Sequence, residues 1–193
     1  MLRTPEIEAL EKEILRLKKM LHEARRRAAR DPIPDLPLLS RNGAPIRLSD
    51  CFGGRPDLLA IHNMGSRCAY CTLWADGFIG FWQHLNDRCA FVLVSEDPPE
   101  KLDAFARSRA WPFPVVSMHG SDFANVLGVG YEGVHQQPGV TAFRRSADGS
   151  ILRTGYTDFF PDDDFCSVWP LFDLLDRGAD GWQPRLSYAQ PKG

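Results

Sequence analysis

Apolar and polar positions follow two rhythms along this chain, and their order predicts its elements. From about Pro5 to Arg30, the residues Ile7, Leu10, Ile14, Leu17, Leu21, Ala24 and Ala28 recur in alternating steps of three and four. That is a heptad seam on one long helix. Thr4 suits the N-cap and Pro5 the first helical position. Glu6 and Glu8 favour the positive end of the helix dipole, and Arg25, Arg26, Arg27 and Arg30 the negative end. Asp31-Pro32-Ile33-Pro34 stops the helix and opens a Pro-rich linker. About 25 residues at 1.5 Å each make a rod of roughly 38 Å. Residues flanking the seam are acidic early (Glu11, Glu13) and basic late (Lys18, Arg25, Arg27). This polarity suits an antiparallel copy of the same helix; the alternative is a stripe packed on its own domain.

Beyond the linker the rhythm shortens. Asn42-Gly43 marks a hairpin between two short strands, and Cys51-Phe52-Gly53-Gly54-Arg55 a turn. Leu58 to Asn63 and Ala90 to Ser95 read as buried strands, and Pro114 to Ser117 as a shorter one. Helices are predicted over the segment after Cys71, with Leu73, Phe78, Phe81 and Leu85 at helical spacing, over Pro98–Arg109, and over Ser121–Leu127. Val140–Arg144 and Ile151–Tyr156 form a hairpin across Asp148-Gly149, and Phe165–Arg177 closes the chain as an amphipathic helix. Alternating strands and helices, then a hairpin and a last helix, predict an α/β fold with a mixed central sheet flanked by helices. This is a thioredoxin-like layout with an added N-terminal hairpin. The expected division is an N-terminal helical arm over 1–31 and a thioredoxin-like domain over 32–193.

The 193 residues fit one domain with decoration, and an apolar content of 44% with 25% charged residues is ordinary for a globular protein. A net charge of −2 offers no electrostatic footprint for nucleic acid or an anionic membrane. No apolar run reaches the length of a bilayer span. The acidic, regularly charged N-terminus does not read as a secretory signal, so a cytoplasmic protein is expected.

Five cysteines at irregular spacings do not make a disulfide framework. One pair is close: Cys68-Ala69-Tyr70-Cys71, between a strand and a helix. A thiol–disulfide enzyme needs a thiolate at neutral pH and a second thiol within reach. Two cysteines in the first turn of a helix meet both needs, because free backbone N–H groups and the dipole stabilise the first sulfur's charge. Cys68 is therefore the expected nucleophile and Cys71 the more buried resolving thiol, with Arg67 adding positive charge. Trp74, one turn on, shields the sulfur or, more simply, packs the core. Asp76 approaches the thiols only by turning inward and otherwise answers the helix dipole. Pro138 is the candidate for the cis-proline that thioredoxin folds place opposite the pair, with Val140 the alternative. Cys51, Cys89 and Cys166 are expected to be structural.

Other readings of the pair remain open. It is half a zinc knuckle, which would need His62, His84 or Cys89 in an unusual arrangement. It also resembles, with His135, the donor set of copper-handling thioredoxin-like modules. Inert buried thiols, and a non-catalytic dimeric binding protein, are the others. A peroxiredoxin is disfavoured, because such enzymes place a proline and a Thr or Ser at set positions before their cysteine, whereas Met64-Gly65-Ser66-Arg67 has no proline and Gly65 stands at the Thr position.

The segments FGGRPDLLAIHNM, CAYCTLWADGF, HLNDRCAFVLVS, WPFPVVSMHGSDF, GVTAF and LFDLLDRG resemble a bacterial family catalogued as domain of unknown function 899. The family is described as thioredoxin-like and predicted to contain dithiol–disulfide oxidoreductases. Its members usually carry proline after the first cysteine and serine after the second, where this chain has Ala69 and Thr72, and a longer loop before the pair. The resemblance implies a dithiol–disulfide oxidoreductase; the leading expectation is a redox pair acting on a disulfide substrate, with a cellular thiol reductant restoring the dithiol and no cofactor. A homodimer is expected from the N-terminal helix.

Overall fold

The computed structural model describes residues 3–130 and 136–188. Eight strands form one mixed sheet in the order β1-β8-β7-β4-β5-β6-β2-β3. At its centre β4 (Asp57–Asn63), β5 (Ala90–Ser95) and β6 (Val115–Ser117) run parallel. The hairpin β7 (Gly139–Arg145) and β8 (Ile151–Asp158) lies antiparallel beside β4. The Asn42-Gly43 hairpin, β2 (Pro37–Leu39) with β3 (Pro45–Arg47), closes the far edge against β6. β1 (Asp31–Ile33) pairs with β8 at the opposite edge, where a plain linker was expected.

Strand parity divides the core. Leu58, Ala60, Val92 and Val94 point to one face, covered by α4 (Phe123–Leu127) and a 3-10 turn at Leu48–Phe52. Ile61, Phe91 and Leu93 point to the other, under α2 (Ala69–Arg88), α3 (Pro99–Ser108) and α5 (Val168–Phe172). Strands covered on both faces are apolar throughout, which explains the unbroken runs at β4 and β5.

Three expectations are corrected. The inward face of α2 is Cys71, Trp74, Ala75 and Phe78, whereas Phe81 is exposed. The closing helix is only five residues long: Asp163 accepts the N–H groups of Phe165 and Cys166 and holds a turn where the helix was to begin. The long helix, α1 (Pro5–Arg27), stops three residues early; Thr4 caps it, accepting the N–H of Ile7 at 3.3 Å. None of its residues is buried, and Ile7, Leu10, Ile14, Leu17 and Leu21 are between 41% and 58% exposed. The seam therefore does not pack on its own domain. No helix among the described residues is long and apolar enough to cross a membrane.

Candidate redox site

The site lies beyond the C-terminal end of β4. Cys68 is the N-cap of α2, and the N–H of Cys71 donates to its Sγ at 3.0 Å. The two cysteines are joined as a disulfide, with Cα atoms 5.2 Å apart, ordinary for such a bridge. Cys68 is half-buried and Cys71 buried. The Cys71 N–H thus faces the Cys68 sulfur at a helix N-terminus, a placement that favours negative charge on a reduced sulfur.

The environments of the other cysteines differ. Burial, helped by the carboxylates of Asp50 and Asp35, pushes the Cys51 thiol up to about 12. Burial also raises Cys89 and Cys166. All three are unpaired and poorly disposed to ionise. Cys89 precedes β5, whose first residue pairs with Leu58, so the length of β4 (roughly 20 Å at 3.3 Å per residue) separates it from the pair. His62 is buried against Thr141, its Nε2 2.9 Å from Oγ1, and burial pushes its pKa down to about 3. Neither completes a zinc knuckle with the pair. Among the described residues no group of three or more His, Cys, Asp or Glu is placed to hold a metal. His135 lies outside the described residues.

The supporting residues take different places around the pair. Arg67 is exposed beside Cys68. Trp74 is a core residue: its Nε1 donates to Asp163 at 3.3 Å and its ring contacts Tyr70 and Phe159. Asp76 does not turn toward the thiols. It forms an ion pair with Arg109 and accepts the Trp111 Nε1–H at 2.9 Å, clasping α2 to the end of α3. Pro138 is buried directly before β7, whose Gly139 pairs with His62, so it sits at the same end of the sheet as the pair. Val140 lies within the strand opposite Ile61. No cis peptide bond occurs among the described residues, so Pro138 is trans.

Four residues not singled out by the sequence shape the site. Asp97, at the end of β5, accepts the N–H of Ser66 at 2.5 Å and pairs with Lys101 at 2.6 Å. Burial alone would raise its pKa, but the hydrogen bonds from Lys101 and Ser66 outweigh it and hold the carboxyl below the usual range. Gly65 has φ +101°, and a Cβ there would stand 3.0 Å from the Asp97 carboxylate. Gln136, fully buried, donates to the carbonyls of Asn63 at 2.9 Å and Val94 at 3.2 Å, tying the approach to Pro138 to the strand ends. Tyr70, between the cysteines, stacks on Trp169 with centroids 6.4 Å apart. The one signal in sequence was the Gly65 and Asp97 loops themselves, each following a core strand.

Comparison with known proteins agrees with this architecture. A family model described as a bacterial protein of unknown function (DUF899) matches residues 5–189. No protein of curated function matches the sequence. Among solved structures, the peroxidoxin BcpB of Mycobacterium tuberculosis is similar at a TM-score of 0.50 and 24% identity, over 67% of this chain and 84% of that one. A peroxiredoxin-like protein from Aquifex aeolicus reaches a TM-score of 0.53 at 14% identity, over 67% and 74%. At such identities the likeness shows the fold, which is thioredoxin-like.

Proposed function

The chain belongs to the bacterial DUF899 family, and we propose that within it this protein is a thiol–disulfide oxidoreductase with Cys68 as nucleophile and Cys71 as resolving thiol. The observation that carries the reading is the half-buried Cys68 at the start of α2, within bonding reach of a buried Cys71. In the reductive direction, the Cys68 thiolate attacks one sulfur of a substrate disulfide. The S–S bond breaks, the second substrate sulfur leaves as a thiolate and takes up a proton, and a mixed disulfide remains. Cys71, losing its proton, then attacks Cys68 Sγ and expels the first substrate sulfur. The substrate has gained two electrons and the enzyme pair has lost them; a cellular thiol reductant returns the dithiol.

The role of Arg67 is to favour the thiolate by its nearby charge. Pro138, at the same sheet end, borders the surface where the substrate chain would lie. A reducing compartment, the cytoplasm, fits the three unpaired thiols. The working unit is a homodimer joined through α1, outside the redox chemistry.

Titration against a thiol–disulfide buffer tests the reading. Wild type should pass between dithiol and intramolecular disulfide, Cys71→Ser should accumulate a mixed disulfide through Cys68, and Cys68→Ser should do neither. A pair that never oxidises, or full disulfide reduction by Cys68→Ser, overturns it.

A further inference from the structure

An exposed apolar seam on a helix with no buried residue needs a partner, and the charges beside it identify one. We infer that α1 pairs antiparallel with α1 of a second copy, in one register. This deepens the homodimer reading above and does not depend on the redox chemistry. With Ile7, Ile14 and Leu21 at the a positions and Leu10, Leu17 and Ala24 at d, a two-fold axis between Leu15 and Arg16 makes the seam self-complementary. Ile14 then meets the partner's Leu17, Leu10 the partner's Leu21, and Ile7 the partner's Ala24. Each layer occurs twice by symmetry.

The apolar residues alone would also allow a parallel pair; the flanking charges do not. In the antiparallel register Glu11 faces the partner's Lys18 and Glu6 faces the partner's Arg27, while Glu13 meets the neutral Met20. No like charges meet. In a parallel pair, where each g position faces the following e, Glu13 would still find Lys18 but Glu6 would oppose Glu11. The e and g charges set orientation in coiled coils, and here they favour the antiparallel one. Lys18 holds Asp164 of its own chain at 2.6 Å, and Glu11 pairs with Arg3. Both are exposed contacts that exchange readily for the new ones.

Sedimentation equilibrium of the full chain at low salt tests the inference, because Glu11→Lys has opposite consequences in the two orientations. Antiparallel pairing turns two attractive contacts into repulsive ones, so the dimer should weaken, its dissociation constant rising by about tenfold. Adding Lys18→Glu to the same chain should restore it. In a parallel pair, Glu11→Lys would relieve repulsion from Glu6 and tighten the dimer. A tighter or unchanged dimer overturns the orientation while leaving a homodimer standing; a wild-type monomer at tens of micromolar overturns both. The Cys68–Cys71 potential of the same samples reads the redox proposal separately.

Discussion

Replacing Gly65 by alanine tests how rigidly the loop before Cys68 is held. The added methyl meets two costs. A backbone at φ +101° is strained for any L side chain, by about 1–3 kcal/mol. The methyl would also stand 3.0 Å from Cγ and both oxygens of Asp97, inside normal contact distance. That carboxylate has little freedom to retreat, since Ser66 N–H and Lys101 Nζ hold it at 2.5 and 2.6 Å. Moving it weakens a charge-assisted hydrogen bond, worth about 1.5–3 kcal/mol. The two together give a loss of about 2.5–6 kcal/mol, measurable by urea unfolding of the oxidised protein. A double-mutant cycle separates them. In an Asp97→Ala background the clash is gone, and Gly65→Ala should cost only the backbone strain, leaving a coupling of about 1.5–3 kcal/mol. A loss below about 0.5 kcal/mol, or the same loss in both backgrounds, would refute the packing argument. Because Cys68 N–H donates to Gly65 O at 3.1 Å, the reduction potential should shift as well.

Two further outcomes follow from His62, which is buried, and Asp76, which is half-buried. His62 stays neutral in the fold, with its pKa pushed from 6.5 down to about 3, while the unfolded chain protonates near 6.5. Its contribution is therefore complete above that value and lost on acidification, by about 1.4 kcal/mol per pH unit and about 2 kcal/mol at pH 5. Unfolding curves of His62→Gln should lose that slope between pH 6.5 and 4; an unchanged slope would exclude His62 as its source. Asp76→Ala should cost about 1–2 kcal/mol, because it removes the Arg109 pair and strands the Trp111 N–H. It should leave the Cys68–Cys71 potential where it was, and a shifted potential would return Asp76 to the thiols.

What could be read from the sequence was whatever repeats or sits close along the chain. The heptad steps of α1, the apolar runs of β4 and β5, the Asn42-Gly43 turn and the spacing of Cys68 and Cys71 are local, and the structure has each of them. What was missed depends on partners distant in sequence. β1 is three residues with a proline, tolerable because an edge strand needs hydrogen bonds on one side only. Phe165–Arg177 carries a helical pattern. Yet Asp163 spends its carboxylate on the amides that would start the helix, and Pro170 has no N–H to give a preceding carbonyl.

The site itself divides in the same way. The register of β4 on β5 sets Asn63 beside Ser95, and this alone brings Asp97 to the loop that precedes Cys68. Antiparallel pairing of β7 with β4 brings Gln136 and Pro138 to that end. Neither consequence is visible in a run of letters. The five cysteines make the point most sharply, since residue type is constant and only position varies. Burial raises Cys51, Cys89 and Cys166 and keeps them as protonated thiols. Cys68 instead meets the N–H of Cys71 at the mouth of a 20-residue helix. In the proposed redox reading, reactivity belongs to a helix terminus at a strand end, and Cys68 is the cysteine placed there.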